Sequence, residues 1–261
     1  MGAMGRNGAD SWRHLAVLCL SEAIGTALLV GVGLSIVIVD FGHGSPVVSA
    51  LPSAGARRAL TGALFGTTGM SIALSPVGRV SGAHINPVVS LAFWLEKALP
   101  TRAFLGFVAS QLVGAVVGAL PLLLWGQMGA SDAYGATSPG PGGIGLAFAG
   151  EAITTFVLVI LVVSFVGHER LRPYTPGIFP LLYCVMVFLE APWSGTSTNP
   201  ARSLGPDVIA LSSHSYWLYW VAPVVGTIVA LAVRRLLPVV QDLEVDVAKV
   251  AHFERNRLAE L

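Results

Sequence analysis

The chain runs apolar, again and again, for the length a helix needs to cross lipid, and that leaves it few architectures. A bilayer's hydrocarbon core is about 30 Å thick and takes roughly 20 apolar residues per crossing helix. Within that core every backbone polar group must be satisfied inside the protein, which restricts spanning structures to helices and closed barrels. Hydropathy, read against glycine, proline and charge breaks, predicts spans near Leu15–Val39, Ala59–Val77, Arg102–Leu124, Gly145–Val166, Gly177–Pro192 and Trp217–Leu237. Composition agrees: the 261 residues are 54% hydrophobic and only 11% charged, where a soluble domain carries about 25% charged residues. The expected fold class is an all-α membrane protein.

The first apolar run exceeds the roughly 7–15 residues of a secretory signal's core and has no convincing cleavage site, so it is expected to persist as a span. Two further apolar stretches, Ile85–Leu95 and Thr198–Leu211, are too short to cross and read as re-entrant segments. Basic residues fall on alternate connections. Arg6, Arg13, Arg79, Lys97, Arg102, Arg170, Arg172, Arg234, Arg235, Lys249, Arg255 and Arg257 would share one side, leaving Arg57 and Arg58 on the other and Arg202 between. By the positive-inside rule both termini are then cytoplasmic in a multi-pass protein of the cell membrane. The expected division is an N-terminus (1–14), a membrane domain (15–237) and a cytoplasmic tail (238–261). Within that domain two repeats (15–124 and 145–237) flank an external loop (125–144) that contains no basic residue.

A net charge of +1, with its basic residues placed singly, offers no footprint for nucleic acid. Cys19 and Cys184 lie in apolar runs without metal-ligand spacing and read as inert small hydrophobes. No metal, nucleotide or other cofactor is implied. The clustered Trp12, Tyr216, Trp217, Tyr219 and Trp220 sit near span ends, as an interfacial belt does.

The most specific signal is a repeat. Ser81-Gly82-Ala83-His84-Ile85-Asn86-Pro87-Val88-Val89-Ser90-Leu91 and Ser194-Gly195-Thr196-Ser197-Thr198-Asn199-Pro200-Ala201-Arg202-Ser203-Leu204 agree at Ser, Gly, Asn, Pro, Ser and Leu in one register. Glu22-Ala23-Ile24-Gly25-Thr26 and Glu151-Ala152-Ile153-Thr154-Thr155 open the two halves in the same way. Three spans follow each opening, so the second copy starts on the opposite side of the membrane and the halves are inverted. Their short helices then enter from opposite faces and meet near the midplane.

A helix that begins in mid-membrane leaves about four backbone N–H groups unpaired. Asn followed by Pro answers this twice, because the carboxamide oxygen caps and proline fits the first helical position without needing a donor. The Asn86 and Asn199 NH₂ groups are expected to remain free to face a passage. Both helix dipoles bring about half a positive charge to the same point, which repels cations and protons. A neutral hydroxyl or water can accept hydrogen bonds there and so recover its desolvation cost, which an ion cannot.

With the boxes Asn86-Pro87-Val88 and Asn199-Pro200-Ala201, each preceded by Ser-Gly and led by a membrane Glu, the chain resembles the aquaporin and major intrinsic protein family from Leu15 to Leu237. Val88 departs from the alanine usual in the first box. The resemblance implies six spans plus two half-helices, four copies each with its own pore, and passage of water and small neutral solutes through the lipid bilayer. It also implies an outer constriction at Arg202, Thr196, Val187 and Gly66, with Phe65 in place of Gly66 if the second span is shifted by one. Glu22 and Glu151 would support the loops that lead to the half-helices, and His84 would line the cytoplasmic mouth or serve as a bonded structural histidine. Small ring residues resemble the nodulin-like and related bacterial channels for glycerol, urea or undissociated metalloid acids; with Phe65 in the ring, stricter water selectivity is implied.

Two other classes compete. Membrane acids mark function by default, so Glu22 and Glu151 could serve a proton-coupled secondary transporter. A hydrolase would need a nucleophile beside a base, for which Ser194 and His214 are the available pair. The second Ser-Gly of the repeat explains Ser194 better.

Overall fold

The computed structural model describes residues 4–212 and 215–236, with side chains from Trp12 onward. The expected tail from residue 238 and the proposed base His214 lie outside the described residues. Six long helices run Met4–Phe41, Ala54–Leu74, Thr101–Ala119, Gly143–Gly167, Thr175–Ser194 and Leu218–Leu236. They are numbered here as the first to sixth spans. Five are apolar enough to cross a membrane on composition alone. The second, Ala54–Leu74, has the length at 21 residues but carries two arginines, three threonines and four glycines. Its polarity is local, since Thr67 and Thr68 turn their hydroxyls back onto the carbonyls of Ala63 and Leu64.

Helix ends follow local chemistry. Ser53 caps the second span by accepting the Ala56 N–H at 3.3 Å. The first span begins well before the predicted Leu15 and ends at Phe41. The third continues beyond Ala119 as a tighter turn, Leu120–Trp125, which begins at the Leu120-Pro121 step. The predicted loop over 125–144 is not featureless. It contains the short helix Gly126–Ala130 and a single turn, Ala133–Gly135.

The two expected re-entrant segments are helices, Pro87–Leu95 and Pro200–Ala210. Packing is most extensive between the second and fifth spans, the first and third, and the fourth and sixth. The last two pairings are the same pairing in the two repeats. Gly114 lies so close to Ala23 that a Cβ would stand 2.2 Å from its carbonyl oxygen, and Gly226 repeats this against Ala152 at 2.3 Å. Ala23 and Ala152 each follow the opening glutamate of their repeat. The second and fifth spans cross over the pseudo-symmetry axis, where Gly62 and Gly66 admit the carbonyls of Tyr183 and Phe179. At the far end of the sixth span Arg234 pairs with Glu96, just past the first half-helix, and Arg235 reaches the same carboxylate at 3.2 Å.

Candidate functional site

The two Asn-Pro boxes begin the half-helices as their chemistry requires. Asn86 Oδ1 accepts the Val88 N–H at 3.0 Å, and Asn199 Oδ1 accepts those of Ala201 at 3.0 Å and Arg202 at 3.3 Å. Pro87 and Pro200 occupy the first helical turn. The carboxamide NH₂ groups depart from the expectation that both stay free. Asn86 Nδ2 donates to the Thr198 carbonyl and Asn199 Nδ2 to the Ile85 carbonyl, each at 2.9 Å. Each Asn therefore ties its own helix start to the loop of the opposite repeat. An NH₂ carries two protons, so each retains one for a guest.

The loops that deliver these carbonyls adopt a paired, costly backbone. Gly82, Ala83 and Ile85 have φ of 89°, 49° and 42°; their counterparts Gly195, Thr196 and Thr198 have 88°, 53° and 50°. Left-handed conformations at non-glycine residues cost of order 1–3 kcal/mol each and persist only where surroundings over-determine them. Here the two membrane glutamates supply the restraint. Glu22 accepts from Ser81 Oγ at 2.6 Å, His84 N at 2.9 Å, Ile85 N at 2.7 Å and Gln111 Nε2 at 2.7 Å. Glu151 accepts from Ser194 Oγ and Ser197 N, both at 2.6 Å, and from Thr198 N at 2.8 Å. Both side chains are wholly buried.

Two chambers flank the Asn pair. One, of about 170 Å³, is lined by His84, Ile85, Asn86, Phe93 and Asn199, among others. His84 is buried, with Nδ1 3.1 Å from Ser90 Oγ and its ring stacked on Phe93 at 4.8 Å. The other chamber, of about 280 Å³, gathers Val187, Thr196 and Arg202 with Phe65, Tyr183 and Asp132. Of the two positions left open in the second span, Phe65 lines both chambers, whereas Gly66 lines only the His84 chamber. A Cβ on Gly66 would meet the Phe179 carbonyl oxygen at 2.3 Å, so this glycine serves the crossing of the second and fifth spans.

Arg202 is held rigidly for a long side chain: one guanidinium nitrogen donates to the Gly135 carbonyl at 2.7 Å. That carbonyl comes from the connection between the repeats. Asp132, three residues earlier, also lines the Arg202 chamber. Burial pushes its carboxyl up to about 6, against the opposing pull of the Arg202 and His43 charges. Ser203, after the arginine, joins a hydroxyl chain with Ser197 at 2.6 Å and Thr137 at 2.7 Å.

Sequence reasoning missed Tyr183, whose hydroxyl lies 3.0 Å from Thr198 Oγ1 and whose ring meets Phe65 at 5.6 Å. Its position one helical turn before Val187, on the same face, was a usable signal. Gln111 was missed as well. A buried glutamine in an apolar span, donating to Glu22 and to Ser90 Oγ at 3.0 Å, follows the rule that membrane polar groups find partners.

Residues 9–233 match the family described as "Major intrinsic protein". The chain belongs to that family. Among relatives of this major intrinsic protein, "Probable aquaporin AqpM" of Archaeoglobus fulgidus is 32% identical over 230 residues, covering 78% of this chain and 92% of the relative. "Aquaporin NIP3-1" of Arabidopsis thaliana is 32% identical over 216 residues, 80% of this chain but 64% of the plant protein. Among solved structures, the aquaglyceroporin from Plasmodium falciparum superposes with a TM-score of 0.72, over 87% of this chain and 99% of that one, at 21% identity. That likeness speaks to the fold: spans plus half-helices. Family membership makes this an integral membrane protein and a channel for water or small solutes, not an enzyme.

Proposed function

We propose that the protein is a passive channel for water and small uncharged hydroxylated solutes, such as glycerol or undissociated metalloid acids, and that it excludes ions and protons. The observation that carries this reading is the composition of the Arg202 chamber. Phe65 and Val187 give it apolar walls, and Arg202 and Thr196 give it polar groups. A solute with a carbon or metalloid skeleton and hydroxyl edges suits both kinds of surface, because buried polar groups need partners and apolar ones do not. Phe65 favours water. Val187, a small side chain in the ring, favours the wider set.

Exclusion of cations rests on the fixed guanidinium together with two helix N-termini directed at the Asn pair. The proton-coupled alternative is disfavoured by the occupancy of Glu22 and Glu151, whose oxygens accept loop N–H and hydroxyl groups and are fully engaged. We further propose that the face carrying Arg79, Lys97, Arg102, Arg172 and Arg234 is cytoplasmic, on the positive-inside rule. The Arg202 chamber is then the outer one. The apolar residues exposed along the first and third spans, such as Leu20, Leu28, Leu105 and Val117, suit contact with lipid or with further copies in a tetramer.

Stopped-flow light scattering on proteoliposomes tests the solute. After osmotic shrinkage, re-swelling in glycerol and boric acid is expected to outpace that of protein-free vesicles; shrinkage in water without any re-swelling would restrict the channel to water. Arg202→Ala is expected to admit larger or charged species. Unchanged selectivity in that variant would refute the assigned constriction.

A further inference from the structure

The second repeat contains an acid that its twin lacks. Counting from Ser81 and Ser194, Glu190 stands where the first repeat has Val77, and counting from Glu22 and Glu151, Gly150 stands where it has Ser21. In the first repeat Ser21 Oγ approaches Ser81 Oγ at 3.0 Å and donates to the Val77 carbonyl at 2.6 Å, so a second hydroxyl completes the Ser-Glu pair. In the second repeat that hydroxyl is gone and a carboxyl takes its place. A Cβ on Gly150 would stand 2.3 Å from Glu190 Oε1, so the Ser21-to-Gly150 exchange makes the room that Glu190 fills.

Proton counting then sets the state of this group. Ser194 Oγ lies 2.6 Å from Glu151 Oε1 and 2.5 Å from Glu190 Oε1, yet a serine hydroxyl has one proton to give. One of the two contacts therefore needs its proton from the carboxyl side. Glu151 cannot supply it, because its oxygens already accept the Ser197 and Thr198 N–H groups. Glu190 can. Its Oε1–H donates to Ser194 Oγ, Ser194 donates to Glu151, and Thr196 Oγ1 donates to Glu190 Oε2. Each hydroxyl and carboxyl proton in the chain is then given once, in one direction, and Ser194 Oγ accepts the Thr196 N–H as well at 3.2 Å.

We propose that Glu190 is a positioning residue of the constriction: an un-ionised acid held against Ser194 by its own proton, whose other oxygen fixes the direction of the Thr196 hydroxyl. Thr196 spends its proton on Glu190 and turns only acceptor lone pairs toward the Arg202 chamber. A passing hydroxyl is then read by both of its faces, its oxygen by Arg202 and its proton by Thr196. This specificity rests on the channel reading given above. Loss of the Glu190 proton would set two carboxylates on one serine hydroxyl, and their repulsion would drive Glu190 off Ser194 and carry away the acceptor that orients Thr196. The charged or titratable groups around the pair are Glu151 on the fourth span, Tyr219 on the sixth, whose hydroxyl donates to the Ser194 carbonyl at 2.8 Å, and Arg202 on the second half-helix.

Glu190→Gln tests this, since a carboxamide supplies both the donor toward Ser194 and the acceptor toward Thr196. Infrared spectra of the reconstituted protein are expected to show a carbonyl stretch of an un-ionised acid that the variant lacks. Glycerol flux through the parent is expected to fall on the alkaline side, and the variant is expected to hold its flux there. An infrared carbonyl band left intact by the substitution, or the same alkaline fall in both proteins, would overturn the proposal. Absence of flux from both proteins would count against the channel reading instead, while the infrared band still decides where the proton resides.

Discussion

At the scale of single residues, the glutamates show how an acid in lipid is made harmless. Four donors converge on Glu22, two of them backbone N–H groups of a loop with left-handed residues. Glu22→Gln replaces one acceptor oxygen with an NH₂, which must then face a donor. Hydrogen bonds to charged groups contribute about 1.5–3 kcal/mol each, so the variant is expected to lose stability on that order, seen as a lower unfolding midpoint in detergent. Flux per folded channel is expected to persist, because the carboxylate shapes the loop. The placement of Asn86, Asn199 and Arg202 together inside the fold was legible because each is a polar residue where lipid tolerates none without purpose. Phe65 was not. Counting back from the first box to the second span crosses the turn at Ser75–Val77 and the short helix Gly78–Ser81, whose length the sequence pattern does not fix, and a slip of one residue exchanges Phe65 for Gly66.

At the scale of elements, the half-helices and spans were legible for different reasons. The half-helices announce themselves through Asn-Pro caps, and the spans through apolar length. The second span is the weakest by composition because its interior face is spent on contact with the fifth span and on the passage. Gly62 is the tightest point of that crossing, with the Tyr183 carbonyl oxygen 2.2 Å from where a Cβ would lie. Gly62→Val would force the helices apart; overpacking costs about 1–3 kcal/mol, and displacement of backbone puts this site at the upper end. Thermal unfolding in detergent is expected to fall accordingly. A neutral result would mean that the two spans do not approach as closely as described. The early start of the first span and the helical turns within the 125–144 connection had no such signal, since neither is set by an apolar period.

At the scale of the whole molecule, inversion is what brings two ordinary helix caps together at one point. Each Asn donates to the carbonyl of the other repeat's loop, so neither half of the site is complete without its partner. The same arrangement brings two helix N-termini toward one point and sets Arg202 on one side of it. On the proposed reading, neutral polar molecules would find donors and acceptors along this path, whereas a proton or metal cation would meet positive potential with nothing to replace its water. The most direct test is a single mixing experiment on proteoliposomes loaded with a pH-sensitive dye. Under an osmotic step the vesicles are expected to shrink faster than protein-free ones, while under an imposed proton gradient their interior pH drifts no faster than in those controls. Shrinkage no faster than bare lipid, or dissipation of the proton gradient by the protein, would contradict the account.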